Sequence, residues 1–315
     1  NAQRGNELPV SAFLPYADGT TPLGGTAHER RSVNTDLPVW ISENCIQCNR
    51  CAYVCPHAVI RPALMTAEEK AAAPKDMISI PAVGMPGYEF SIVVSEVDCT
   101  GCGSCASVCP GKQNNKALEM CPVIEHEAHQ EYFDYAKTLP EKQEAIDKFK
   151  ETTVKGSQFK RPLLEFSGAC AGCGETPYAR LVTQLFGDHM YIANATGCSS
   201  IWGNSAPAPA YTANLDGRGP AWSNSLFEDN AEFGYGMVLA QNTLRNTLKD
   251  KIEALKDTAD TTVSEACTEW LNTFNDGVRN IKATDKLVYA LEDSGNKNGS
   301  DILAQKDFLA KKSQW

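Results

Sequence analysis

One cysteine spacing, written twice, constrains this chain more than anything else in it. In "ENCIQCNRCAYVCP", residues 43–56, cysteines stand at Cys45, Cys48, Cys51 and Cys55. In "VDCTGCGSCASVCP" the same C-x2-C-x2-C-x3-C-P spacing returns at Cys99, Cys102, Cys105 and Cys109, 54 residues later. Three thiolates spaced in this way can wrap one iron–sulfur cube and reach three of its irons. The fourth, just before Pro, cannot reach that cube and ligates the cluster of the other copy. The spacing therefore predicts two 4Fe–4S clusters with exchanged fourth ligands. Cys45, Cys48, Cys51 and Cys109 serve one, and Cys99, Cys102, Cys105 and Cys55 serve the other. The exchange forces the two cubes close together, near enough for fast electron transfer between them. Pro56 and Pro110 turn the chain away, and Gly101 and Gly103 let backbone N–H groups approach sulfur. The competing reading is a pair of structural zinc sites. Zinc ribbons close each site with two C-x2-C pairs, a pattern that triplets with a remote fourth cysteine do not follow.

Thirteen cysteines in 315 residues, clustered at short spacings, point to metal rather than to disulfides. A net charge of −10 argues against a nucleic-acid partner, and no apolar run is long enough to cross a bilayer. The chain opens on "NAQRGNELPVSAF", with neither an initiator Met nor a signal-peptide pattern, and reads as a segment of something longer. Composition divides it into four stretches. Residues 1–38, rich in Pro, Gly and Thr, predict an extended connecting arm. Residues 39–124 predict an α+β ferredoxin-like domain, with a strand leading into each cysteine run ("PVWIS", "FSIVVSEV") and "MTAEEKAAAPKDM" as a surface helix or loop between them. Residues 125–160 are charged and aromatic and predict connecting helices. Residues 161–315 alternate strand and helix in the α/β manner. Within them Phe233, Met237, Leu244, Leu248, Ile252 and Leu255 mark an amphipathic helix, and further helices are predicted over 262–274 and near the C-terminus.

Five cysteines remain. "CAGCGE" sets Cys170 and Cys173 two apart, and Cys198 follows in "ATGCSSIWGN", with Gly172, Gly174 and Gly197 crowding the thiols. On residue types alone this is either a redox dithiol or a third metal site, and three thiols make an incomplete cubane site. Cys121 and Cys267 read as packed core thiols. His57 reads as a packing or potential-tuning residue rather than a ligand, and the five histidines form no i, i+4 pair for a catalytic zinc. The stretch 202–237, rich in Gly, Pro, Asn and aromatics, has no periodicity and reads as a long functional loop.

A two-cluster ferredoxin insert followed by "CAGCGETPYARL" and "NATGCSSIWG" resembles the pyruvate:ferredoxin oxidoreductase family, and "ELPVSAFLPYADGT" is similar to its stretch before the ferredoxin domain. The resemblance covers nearly the whole chain. It implies that residues 161–315 are the first part of an α/β thiamine diphosphate-binding domain. It implies oxidative decarboxylation of pyruvate, transfer of the acetyl group to coenzyme A, and two electrons delivered to ferredoxin or flavodoxin. It implies a third 4Fe–4S cluster on Cys170, Cys173 and Cys198, with thiamine diphosphate touching Glu175 and Cys198. The fourth ligand of that cluster, the G-D-G motif that holds Mg2+, and the remainder of the thiamine pocket are expected in the rest of the polypeptide. A cytoplasmic homodimer is the implied setting. The alternatives are another 2-oxoacid:ferredoxin oxidoreductase, or a non-enzymatic iron–sulfur electron-transfer subunit.

Overall fold

The computed structural model describes residues 4–125, 129–205, 208–295 and 299–315. Strand β1 (Asp36–Trp40) enters the first cysteine run, helix α1 (Arg50–Val54) lies inside it, and β2 (Ile60–Met65) leaves it. Helix α2 (Ala67–Ala72) and the short strand β3 (Ile80–Pro81) occupy the insertion. Strand β4 (Glu89–Val94) then enters the second run, α3 (Ser104–Ser107) lies within it, and β5 (Leu118–Pro122) leaves it. The pairing of these strands is crossed. β1, which enters the first run, pairs antiparallel with β5, which leaves the second. β4, which enters the second run, pairs antiparallel with β2, which leaves the first, and β3 adds to its other edge. Each cysteine loop is thus clamped between strands belonging to both copies. Ile60, Leu64, Met65, Phe90, Val93, Val94 and Leu118 fill the core beneath the loops.

Helices α4 (His129–Thr138), α5 (Gln143–Phe149) and α6 (Val154–Ser157) follow, and then α7 (Thr176–Phe186) and the single turn α8 (Cys198–Ser200). The sequence places a boundary at 160/161, yet the compact units divide elsewhere: Asn1–Gly187 and Cys198–Arg218 cluster together. Hydrogen bonds explain why. Glu165 N donates to Ala210 O at 3.1 Å, Thr212 N to Leu163 O at 3.0 Å, and Phe166 N to His57 O at 2.9 Å. The Glu165 carboxylate, 2% exposed, pairs with Arg61 of β2 and lies 3.6 Å from Lys137 of α4. The arm is not simply extended either. Its first part makes exposed 3-10 turns at Gly5–Glu7 and Val10–Tyr16. Its second part is built in, with Thr26 fully buried and its hydroxyl donating to Glu165 O at 2.9 Å.

The second unit, Asp188–Gly197 with Gly219–Trp315, holds a parallel sheet. β6 (Met190–Ala195) is its central strand, flanked by β7 (Ala221–Ser225) and β8 (Ser313–Gln314). Helices α9 (Asn230–Lys256), α10 (Thr261–Asn272), α11 (Gly277–Ser294) and α12 (Ser300–Leu303) pack around Leu248, Ile252, Trp270 and Leu287. α9 contains the predicted amphipathic positions, and α10 coincides with the helix expected over 262–274. The stretch 202–237 is not one long loop. A π-helical turn at Ile201–Ser205, strand β7 and the first turns of α9 occupy much of it, while residues 206 and 207 lie outside the described ones. Cys267 is fully buried in the helical core, where burial pushes its thiol up to about 11. Cys121 is half-buried in β5, opposite Leu37. No helix among the described residues is long and apolar enough to cross a membrane.

Glu165 holds two half-buried cations, so its removal leaves both uncompensated. Burial opposes the Glu165 charge, but Arg61 and Lys137 outweigh it and hold the carboxyl below its usual range. Glu165→Gln is expected to destabilise the first unit by about 3–5 kcal/mol at neutral pH. A depressed carboxylate stabilises above its unfolded pKa. The wild-type advantage is therefore complete above about pH 4.3 and fades below it. Urea unfolding of both proteins at pH 7 and pH 3.5 checks this. An unchanged difference at the lower pH contradicts it.

Candidate metal centres

The eight cysteines of the repeated motif collect around two small cavities of equal size, about 20 Å³ each. Cys45, Cys48, Cys51 and Cys109 line the first, together with Trp40, Ile92 and Leu118. Cys99, Cys102, Cys105 and Cys55 line the second, together with Val59, Ile60 and Met120. In each, the remote fourth cysteine has crossed to the triplet of the other copy. The strand exchange causes this: the end of the first run continues into β2, which pairs beside the strand that opens the second run. Among the described residues, no three His, Cys, Asp or Glu side chains converge on a point where one metal ion would sit. Four thiols line each cavity, the number of ligands that a 4Fe–4S cube takes.

The local backbone is shaped for sulfur. Gln47 N donates to Cys45 Sγ at 3.4 Å, Gly101 N to Cys99 Sγ at 3.4 Å, and Ala117 N to Cys109 Sγ at 3.3 Å. Gly101 and Gly103 take the left-handed conformation, with φ +66° and +72°. At the matching positions of the first copy stand Gln47 and Asn49, with φ 55° and 60°. Their side chains stabilise a conformation that costs a non-glycine residue about 1–3 kcal/mol. Gln47 accepts from Val83 N at 2.7 Å and donates to Pro81 O at 2.9 Å, while Asn49 donates to Lys155 O at 2.9 Å.

Electrostatics gives the fit test. Burial pushes the Cys99 and Cys105 thiols up to about 12, and drives Cys51 well above its usual value. Neighbouring cysteines push in the same direction. The thiols therefore stay protonated until a bound metal brings positive charge and displaces their protons. The residues present therefore fit 4Fe–4S clusters.

His57 is buried against the second cavity, with Nδ1 3.1 Å from Ser167 O. Burial lowers its pKa and favours the neutral ring. The third group is arranged differently. Cys170 and Cys198 are exposed and Cys173 is half-buried. Cys173 N donates to Cys170 O at 3.0 Å, closing a tight turn. Gly172 in that turn has φ +71°, and a Cβ placed there would lie 3.7 Å from Cys102 Cβ. The C-x-x-C turn is thus seated directly against the second cavity. Cys102 registers the contact. Burial acts to raise its pKa, yet hydrogen bonds from Ser104 and from the Gly172 backbone bring it below the usual value. Glu175 begins α7, and its Oε2 accepts from Trp202 Nε1 at 3.4 Å, one turn beyond Cys198. Trp202 also packs near Tyr211, with ring centroids 6.5 Å apart. Sequence reasoning missed Trp202, although the indole shares the "GCSSIWGN" motif with Cys198.

Comparison with known proteins agrees with this geometry. A family described as a 4Fe-4S dicluster domain matches residues 44–113, and a domain of unknown function named EKR matches residues 1–34. The chain is 49% identical over 320 residues to a pyruvate-flavodoxin oxidoreductase of Klebsiella pneumoniae, covering all of this chain and 27% of that protein. It is 51% identical over 326 residues to a pyruvate:ferredoxin oxidoreductase of Moorella thermoacetica, again covering all of the chain and 27% of the relative. It is 44% identical over 318 residues to a mitochondrial pyruvate dehydrogenase (NADP+) of Euglena gracilis, covering 99% of the chain and 17% of that protein. The chain spans about a quarter of the length of the first two relatives.

The crossed lining predicts the phenotype of a single mutation. Cys55→Ala is expected to disturb the cluster of Cys99, Cys102 and Cys105 and to spare that of Cys45, Cys48 and Cys51, with loss of up to about four of eight irons. Iron analysis with low-temperature electron paramagnetic resonance resolves the two. Selective loss of the Cys45 cluster would show the pairing to be wrong.

Proposed function

We propose, for a chain that belongs to the pyruvate:ferredoxin and pyruvate-flavodoxin oxidoreductase family as a segment about a quarter of its members' length, that it carries the electron path of that reaction. The reaction is oxidative decarboxylation of pyruvate with coenzyme A to acetyl-CoA and CO2. The observation that carries this reading is the pair of cysteine cavities with exchanged fourth members. Two clusters locked together by exchanged ligands form a fixed pair through which single electrons pass. When bound, thiamine diphosphate with Mg2+ supplies the carbanion chemistry by which the carboxylate is lost. This chain's residues hold, orient and insulate.

Cys170, Cys173 and Cys198 are assigned to a third 4Fe–4S cluster whose fourth ligand comes from the rest of the polypeptide. The tight 170–173 turn supports this reading, because it sets that loop against Cys102. Glu175 is assigned to the thiamine side. Its carboxylate is held by the Trp202 indole, which fixes its direction next to the exposed Cys198. Residues 161–315 are read as the first part of the thiamine domain, supported by the parallel β7–β6–β8 sheet and the adjoining helices. The relatives' names specify flavodoxin, ferredoxin and NADP+ as acceptors. Electron carriage up to the clusters is the feature that a shared segment would serve, whichever acceptor follows, and ferredoxin or flavodoxin is assigned here.

Purified without oxygen, the protein is expected to be brown, with broad thiolate-to-iron absorption and about eight irons in the dicluster domain. A colourless protein holding only zinc would overturn the cluster assignment. In the full-length enzyme, pyruvate and coenzyme A should drive reduction of ferredoxin or a viologen dye. Cys198→Ala should abolish that reduction while the irons of the two cavities remain. Undiminished turnover in this variant would remove Cys198 from the path.

A further inference from the structure

Helix α7 buries a polar face. Thr176, Arg180, Thr183 and Gln184 point inward with Ala179, while Tyr178 is 72% exposed. Arg180 is the anomaly, because it is a cation only 2% exposed. Its guanidinium meets only neutral acceptors. Nη1 donates to Gln158 Oε1 at 2.8 Å and reaches Gln184 Oε1 at 3.5 Å, Nη2 donates to Tyr53 O, and Nε has no partner. Both glutamines are themselves tied down. Gln184 donates to Lys160 O at 2.7 Å and Gln158 to Ser157 Oγ at 3.0 Å, so the cage is fixed and carries no charge. Among the described residues Arg180 forms no ion pair with a carboxylate. Nearby Arg61 has the same sign and is already engaged by Glu165.

A buried cation without an anion is costly, and proteins keep one only where a counter-charge exists. Burial lowers the Arg180 pKa to about 10, which still leaves it charged at neutral pH. The segment that its guanidinium bonds leads straight to the second cavity. Tyr53, whose carbonyl takes the Nη2 bond, lies in α1 two residues before Cys55, and Cys55 is buried in the wall of the second cavity. Four thiolates around a cube carry net negative charge, and that charge grows by one when the cluster accepts an electron.

The geometry points to Arg180 as the built-in counter-charge of the cluster held by Cys99, Cys102, Cys105 and Cys55, raising its reduction potential through the field of a fixed guanidinium. The inference rests on the cluster reading above and adds a residue outside the ligand set. The balance is simple: one electron enters from dithionite, the cluster becomes more negative by one charge, and the guanidinium keeps its proton. A fixed positive charge stabilises the reduced form more than the oxidised form, in line with the control of cluster potentials by local charge and burial. The potential of this cluster matters because the 170–173 turn adjoins it at Cys102.

The test is a dithionite titration of the anaerobically purified, iron-loaded protein, followed by electron paramagnetic resonance. In Arg180→Gln the one-electron reduction of the Cys99 cluster should become less favourable by about tenfold, about 59 mV more negative, with a smaller change at the Cys45 cluster. Arg180→Lys, which keeps the charge, should restore most of the difference. Gln158→Glu places a carboxylate against the intact guanidinium and should shift the same cluster in the same direction, so the idea survives even if Arg180→Gln does not load iron. Unchanged potentials in Gln158→Glu and Arg180→Gln would overturn it. So would a lysine variant that behaves like the glutamine variant. A wild-type protein that binds no iron would instead overturn the cluster reading itself.

Discussion

Everything in the first unit depends on an exchange between the two halves of a duplicated sequence. Cys55 and Cys109 each complete the other copy's cavity, and β2 and β5 each pair with the strand that opens the other copy. Neither exchange is stable by itself. A two-stranded pair alone is marginal in water, and a thiol lodged among other thiols is repelled once it ionises. Together they over-determine the arrangement. The strands fix where the fourth cysteine must arrive, and the clusters, when bound, link the copies through their ligands.

Insulation is the second theme. Cys55, Cys99 and Cys105 are buried beside Pro38, Val59, Ile60 and Met120, which bring no dipole to compensate charge. Compensation comes from elsewhere: backbone N–H groups aimed at sulfur, and the guanidinium of Arg180 behind α1. The first copy shows how strongly the N–H geometry is required. Gln47 and Asn49 hold the left-handed conformation that Gly101 and Gly103 adopt without strain, and each does so with side-chain hydrogen bonds to a distant backbone. Glycine is one solution to that geometry, and an anchored amide is another.

The cysteine pairing was legible because ligand reach along a chain is a local constraint, readable from spacing alone. β1 and β4 were legible because β-branched residues stand next to loop signals, and α9 because its apolar positions recur at helical spacing. What escaped was polar and buried. β7, "AWSNS", is largely exposed and lacks alternation, so it read as loop although it pairs along its whole length with β6. α7 hides Arg180 and Gln184 and exposes Tyr178, the reverse of what periodicity expects. Glu165 stands alone in "PLLEFSG", and only its burial beside Arg61 reveals that it anchors 161–187 to the first unit. Such residues are stabilised by partners far along the chain, and a one-dimensional pattern contains no trace of those partners.

The two kinds of cysteine site in this chain differ in exposure, and the difference orders them. The 170–173 turn and Cys198 present thiols to the outside, next to a carboxylate steered by an indole. The Cys99 cavity receives a backbone N–H from Gly172 at Cys102, and the Arg180 guanidinium bonds the Tyr53 carbonyl two residues before Cys55. The Cys45 cavity is built differently. It shares core residues with its neighbour and draws its fourth cysteine from the second run, but its left-handed positions are held by amides rather than glycines. Sequence duplication supplies two similar cavities. The residues that are not duplicated, Gly172, Arg180, Gln47 and Asn49 among them, are what make the two unequal.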